Sequence, residues 1–224
     1  SLLPASFAQK NKKKLTEAEG KTTFARADLD KDRLQQAEYM FSEGMKHFLL
    51  EDYKKALVLF KESQEIYPSN PSIPYKIAHA HFFLEEYEAA LKSIDEALDI
   101  SGDNEYFHLL KADIFEKQKK HKEVALIYEK ILSNFPPNEQ YFFNLASAYL
   151  QENELSKAIE TYNRAEALMG ISESLVRYKQ RIFLNLNDLD GALAEGQKLV
   201  DAFPSASQYK LSQAALLLSV KRKP

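Results

Sequence analysis

Residues 139–172 read EQYFFNLASAYLQENELSKAIETYNRAEALMGIS, and this stretch decides the fold. Leu145, Ala146 and Tyr149 form one apolar stripe, and Ala158, Tyr162 and Ala165 form a second. Residues at i, i+4 and i+7 share one face of a helix, and such a face must bury against a neighbour. Small residues in a stripe let two helices approach closely, and aromatic ones fill the space between helix pairs. Gly170 closes the segment, because glycine suits the left-handed cap that ends a helix. The stretch therefore reads as two helices back to back.

Working outward, the same pattern returns at a period of about 34 residues in blocks 37–70, 71–104, 105–138, 139–172 and 173–206, with no insertion. One column holds Ala56, Ala90, Val124, Ala158 and Ala192, and the next Leu57, Leu91, Ala125, Ile159 and Leu193. Further along the second helix come Phe60, Ile94, Tyr128, Tyr162 and Gly196, then Ser63, Ala97, Ile131, Ala165 and Leu199. Each block closes on Pro68, Gly102, Pro136, Gly170 or Pro204, since proline cannot continue a helix. The first helices carry Gly44, Ala78, Ala112, Ala146 and Gln180, followed three residues later by His47, His81, Phe115, Tyr149 and Phe183. A chance bundle of helices does not hold one period with its terminators in register.

These columns resemble the tetratricopeptide repeat (TPR). That pattern wants a small residue at position 8, an aromatic at 11, alanine at 20, an aromatic at 24, a small residue at 27 and proline at 32. The resemblance covers residues 37–206 as five consecutive repeats, with the fourth matching best and the fifth departing at Gln180, Gly196 and Leu199. It implies an all-α fold, an α-solenoid of antiparallel helix pairs wound into a right-handed superhelix, with first helices lining a concave groove. Stability in such arrays is approximately a sum of repeat and nearest-neighbour contributions.

The flanks do not follow the period. Residues 1–36 begin SLLPASFA and continue into Lys10, Lys12, Lys13 and Lys14. Small residues at Ser6 and Ala8 after a short leucine-containing start resemble the tail of a bacterial signal peptide. The expectation is cleavage after Ala8 and a periplasmic or envelope location, with a cytoplasmic protein as the alternative. The lysine run reads as a solvated tail. Leu34, Ala37, Phe41 and Met45 recur at helical spacing and predict a first helix extended backward by about two turns. Residues 207–224 read as the first helix of a sixth repeat or as a capping helix. The apolar Leu211, Ala215, Leu216, Leu218 and Val220 lead to the expectation that the native chain continues.

Composition excludes several function classes. The 224 residues carry 30 Lys+Arg against 33 Asp+Glu, a formal charge of −3, so a strongly basic nucleic-acid binder is not expected. The chain holds 45% hydrophobic and 28% charged residues, which suits a core-forming protein, and no apolar run is long enough to span a membrane. Cysteine is absent, which removes thiol nucleophiles and cysteine-based zinc sites. The six glycines never cluster into a phosphate-cradling loop. His79 and His81 are two residues apart, on nearly opposite helix faces, and cannot share a metal. His47, His81 and His121 fall in packing columns, and Glu85–Glu86 and Asp188–Asp190 in turns or on solvated faces. The reading is non-enzymatic, with no catalytic residue, no cofactor and no metal.

The family resemblance implies which residues face the groove: Phe41, Met45, Tyr75, Lys76, His79, Tyr106, Leu109, Leu110, Asp113, Phe143, Asn144, Arg177, Tyr178 and Arg181. Phe48, Leu49, Phe82 and Phe83 lie beside them, at positions shared with helix packing. The first three repeats are apolar on this face and the fifth is basic. An amphipathic or extended partner segment, acidic where it meets Arg177 and Arg181, is the expected ligand. The N-terminal segment with Leu15, Phe24 and Leu29 is a second possible occupant. A carboxylate clamp for chaperone tails is not expected. From the first repeat its positions hold Phe41, Met45, Lys76, Tyr106 and Leu110, and from the third they hold Leu109, Asp113, Asn144, Ser174 and Tyr178, so only the asparagine matches. The resulting expectation is a protein–protein interaction scaffold in a bacterial envelope assembly. The alternatives are a chaperone-like holder of unfolded envelope proteins and the regulatory arm of a larger enzyme.

Overall fold

The structure, a computed structural model, describes residues 30–221, with side chains as far as residue 218. The leader-like start, the lysine run and Leu15, Phe24 and Leu29 lie outside the described residues, as do Arg222, Lys223 and Pro224. Among the described residues there are eleven helices and no strand. They are α1 (30–49), α2 (Tyr53–Ile66), α3 (Ser72–Phe83), α4 (Tyr87–Ser101), α5 (Glu105–Lys117) and α6 (His121–Asn134). Then follow α7 (Glu139–Gln151), α8 (Leu155–Met169), α9 (Glu173–Asn185), α10 (Leu189–Ala202) and α11 (Ser207–Lys221). None is long and apolar enough to cross a membrane. The chain divides within α5 into two compact units, residues 1–110 and 111–224. In each unit helices pack against their sequence neighbours, α2 on α3 and α3 on α4 in the first, and α6 through α11 in succession in the second. This is the fold of antiparallel helix pairs that the periodicity predicts.

One turn is used five times to join the two helices of a pair. The amide of Asp52 donates to the His47 carbonyl, and Glu86 to His81, Lys120 to Phe115, Glu154 to Tyr149 and Asp188 to Phe183 do the same, at 2.8–2.9 Å. Each turn passes through a left-handed residue, Glu51, Glu85, Lys119, Asn153 or Asn187, with φ between 58° and 61°. This is a Schellman cap, which satisfies the last helix carbonyls and usually favours glycine. No glycine occupies any of the five positions, and only the two asparagines suit that conformation well. A second recurring device starts the next pair: the side-chain oxygens of Asn70, Asn104 and Asn138 accept from the amides of Ser72, Tyr106 and Gln140, and Ser172 accepts from Leu175. These are side-chain caps on otherwise unsatisfied helix N–H groups.

The core of the first unit gathers Ala56, Leu57, Phe60, Ile73, Ile77 and Ala80, with Phe41, Met45 and Phe48 packed against it. In the second, Phe142, Ala146, Ala158, Tyr162, Ala165, Leu175 and Ile182 form the corresponding cluster. Fully burying a side chain such as Phe60 contributes roughly 1.5–3 kcal/mol. Helix α1 starts two turns ahead of residue 37 and is tied to α2 where the buried Ser63 hydroxyl donates to the Ala37 carbonyl at 2.8 Å.

Residue size is matched within each pair. A Cβ on Gly44 would lie 2.7 Å from the ring of Phe60, so glycine in the first helix makes room for phenylalanine in the second. The fifth block inverts this arrangement. Gln180 is large and Gly196 small, and a Cβ on Gly196 would strike Gln180 at 2.5 Å and Gln213 at 2.2 Å. Gln180 donates to the Ala192 carbonyl and Gln213 to the Leu193 carbonyl, so both amides are anchored in the space that a ring fills elsewhere. The departure at Gln180 and Gly196 is thus one compensated exchange, and the helix pair stays regular.

Candidate functional site

In the first unit the face built by α1, α3 and the start of α5 is a continuous layer of rings. Phe48 lies at its centre, with ring centroids 5.3 Å from Tyr53, 5.7 Å from Phe83 and 6.2 Å from His79. Tyr53 and Phe83 stack at 4.9 Å. Tyr75 meets His79 edge-on at 4.7 Å and stacks on Phe107 at 4.7 Å. Offset and edge-to-face pairs of this kind are favoured by the ring quadrupole. The layer is not sealed: Phe83 is 48% exposed, Tyr106 66% and Leu49 75%.

Lys76 places its ammonium nitrogen 5.5 Å from the ring centres of both Phe48 and Tyr75, within cation–π range. Its burial lowers the ammonium pKa below the ordinary lysine value. Burial also depresses His79, and the Lys76 charge adds to this, so the imidazole titrates at about 4 and is neutral near pH 7.

The sequence-predicted residues of this unit take different places. Tyr75, Lys76, His79 and Leu109 are half-buried on the face, and Tyr106 stands out from it. Phe41 and Met45 lean into the core, with the Phe41 ring 5.4 Å from Phe60. Leu110 does not belong to the exposed face. It is 3% exposed, a core residue, because α5 turns that position inward beside the buried Phe107 and His108. Phe83 and Tyr53 are the contributors that a count of first-helix positions underrates. The signal for Tyr53 was the ring column Tyr53, Tyr87, His121 at the start of the second helices.

In the second unit the corresponding face is mixed, polar at α5 and α7 and aromatic where α7 meets α9. Asp113 and Glu116 line a cavity of about 170 Å³ with Ala112, Val124, Tyr128, Asn144 and Ser147. Shielding from water, reinforced by Glu116, raises the Asp113 carboxyl above its ordinary value. Asn144 donates to the Tyr128 hydroxyl at 2.7 Å and accepts from Gln140 at 2.9 Å, so its amide is engaged. Phe143, Tyr162 and Tyr178 form a ring cluster, Tyr162 stacked on Tyr178 at 5.6 Å. Burial, with Tyr178 nearby, pushes the Tyr162 phenol up to about 12. Arg181 rests 5.2 Å above the Tyr178 ring, whereas Arg177 is held by Glu173 at 2.6 Å. Of the two arginines, Arg177 is therefore already paired.

Three comparisons bear on this architecture. Tetratricopeptide-repeat family models match residues 47–114 and 139–168. Among curated proteins, the TPR repeat-containing protein MJ1428 of Methanocaldococcus jannaschii is 29% identical over 183 residues, 80% of this chain and 30% of that one. The rat peptidyl-prolyl cis-trans isomerase FKBP4 is 28% identical over 127 residues, 50% of this chain and 28% of the isomerase. The chain thus spans less than a third of either relative. Among solved structures, a MamA protein superposes with a TM-score of 0.62 at 12% identity, covering 78% of this chain and 96% of that one. YrrB, described as a TPR protein with an unusual peptide-binding site, gives a TM-score of 0.59 at 13% identity, covering 85% and 97%. At these identities the structures establish the fold.

Proposed function

Because the chain is a tetratricopeptide-repeat protein, we propose that it is a non-catalytic interaction scaffold that docks a segment of a partner protein on the first-helix face. The observation that carries this reading is the ring layer of the first unit, with Phe83 exposed within it and Tyr106 and Leu49 open to solvent on α5 and α1. A contiguous apolar surface of this kind marks a binding site more often than it marks chance exposure. The rings are held by one another and by the stacked helices, so little side-chain freedom is lost when a segment docks. YrrB, by its description, binds a peptide, which supports the same use of this fold.

Photo-crosslinking tests it, with benzoylphenylalanine placed at Phe83 or Tyr106 and, as a control, at the exposed Val58 of α2. The expected result is one adduct shared by the first two positions and absent from the third. Identical adducts at Val58, or none at Phe83 and Tyr106, overturn the assignment. A broad ladder of unrelated adducts replaces the dedicated scaffold with a holder of unfolded chains. An envelope location rests on SLLPASFA at residues 1–8 alone, and fractionation of the producing cell tests it.

A further inference from the structure

Lys76 is the one feature of the ring layer that an apolar ligand does not explain. Its ammonium lies equally far from Phe48 and Tyr75, and no carboxylate among the described residues pairs with it. Four carboxylates of the first unit are engaged elsewhere, Glu43 with Lys46, Asp52 with Lys55, Glu86 with His81 and Asp103 with His108. The neighbouring His79 is neutral near pH 7, so it neither repels the ammonium nor offsets its charge. A half-buried cation held only by ring faces is under-solvated, and an incoming carboxylate restores what burial removes.

We infer that Lys76 determines specificity, taking a glutamate or aspartate side chain of the partner segment, with apolar residues on both sides of that acid. The rings dictate the flanks. Phe48 of α1, with Tyr53 and Phe83 against it, and Tyr75 of α3, with Phe107 against it, both lie 5.5 Å from the ammonium. Rings from two helices, equally close to the cation, suit a side-chain carboxylate with apolar neighbours more than a bare chain end. This rests on the docking reading above and deepens it.

Two phage libraries of random peptides, selected on the full chain, test it. One is fused through the peptide C-terminus, so that it offers side-chain carboxylates alone; the other ends in a free C-terminus. The expected result is enrichment, in the first library, of sequences with an internal acid flanked by aliphatic or aromatic residues. A synthetic peptide of that kind loses roughly tenfold or more in affinity on Glu→Gln substitution. Lys76→Met, which keeps the apolar stem, removes the acid preference, and Lys76→Arg retains it. Helicity measured by circular dichroism confirms that both variants are folded. Enrichment of acid-free sequences, or an acid preference that survives Lys76→Met, overturns the inference while docking stands. Enrichment confined to the free-ended library moves the carboxylate to a chain end and overturns it equally. Failure of both libraries to enrich overturns the docking reading itself.

Discussion

The α3–α4 and α9–α10 pairs occupy equivalent places in the repeat frame, and their interiors are chemically opposite. In the first, Ile73, Ile77, Ala78, Ala80, Ala90, Ile94 and Ala97 are all buried, and the contact is largely apolar. In the second, the position equivalent to Ile77 is Lys179, whose side chain is fully buried. Its ammonium pairs with Glu166 and lies 2.8 Å from Glu195 Oε2, and it donates to Asn163 at 3.0 Å. Lys198 bridges the same two carboxylates at 3.0 Å each. Burial alone would raise the Glu166 carboxyl, but the hydrogen bonds from Lys179 and Lys198 outweigh it and hold the carboxyl below its ordinary value. One backbone geometry is thus stabilised either by dispersion between close-packed apolar groups or by a closed square of charges. The charged solution is brittle, because removing one corner leaves buried charge without its counterpart.

The largest expected effect breaks that contrast. Lys179→Ala should cost about 3–5 kcal/mol, since it leaves two buried carboxylates to share Lys198. Lys179→Ile combined with Glu195→Leu, which imitates the apolar pair, should recover most of that loss. Urea unfolding, with hydrogen exchange resolving α9 and α10, reads both, and a double variant as damaged as the single one removes the equivalence.

Size matching gives the next effect. Gly44→Leu should destabilise the first unit by about 2–3 kcal/mol through overpacking against Phe60. Adding Phe60→Ala should then cost less than the sum of the two single changes, by about 1 kcal/mol or more. Strict additivity in unfolding midpoints contradicts the matching.

A pH series separates the ring layer from the charged pair. His79 has its pKa depressed from 6.5 to about 4, so the unfolded chain binds the proton more readily than the folded one in that window. Stability should be complete above pH 6.5, fall as the pH drops, and lose this component fully near pH 4. His79→Phe should flatten that slope, as read by denaturant midpoints; an unchanged slope places the titration elsewhere. The smallest effect concerns the turns. Lys119→Gly removes the left-handed strain at no contact cost and should stabilise by about 0.5–1 kcal/mol, whereas Asn153→Gly should change less.

Much of this was legible beforehand, for identifiable reasons. The helix pairs follow from columns of apolar residues, because periodicity reports directly which face must be buried. The caps Asn70, Asn104, Asn138 and Ser172 also stood in one column, one period apart, and could have been read there. The exposed site was less legible. Leu110 and Tyr106 both belong to the face that a first-helix template assigns, yet one is buried and the other 66% exposed. A template fixes an angle around the helix axis and not the neighbour that meets it.

The apparent irregularity of the fifth block shows the same limit. Gln180, Gly196 and Lys179 each break a column when taken singly, and each is explained only by a side chain from another helix. By itself the sequence determined the helical pairs, their period and their stops, since these depend on local propensity and on burial patterns along one chain. Only the tertiary structure decided how each interior is filled, which rings stay open, and that Lys76 meets rings and no carboxylate among the described residues. Those outcomes depend on which atoms meet across helices, and volume and charge there are balanced between positions far apart in the chain.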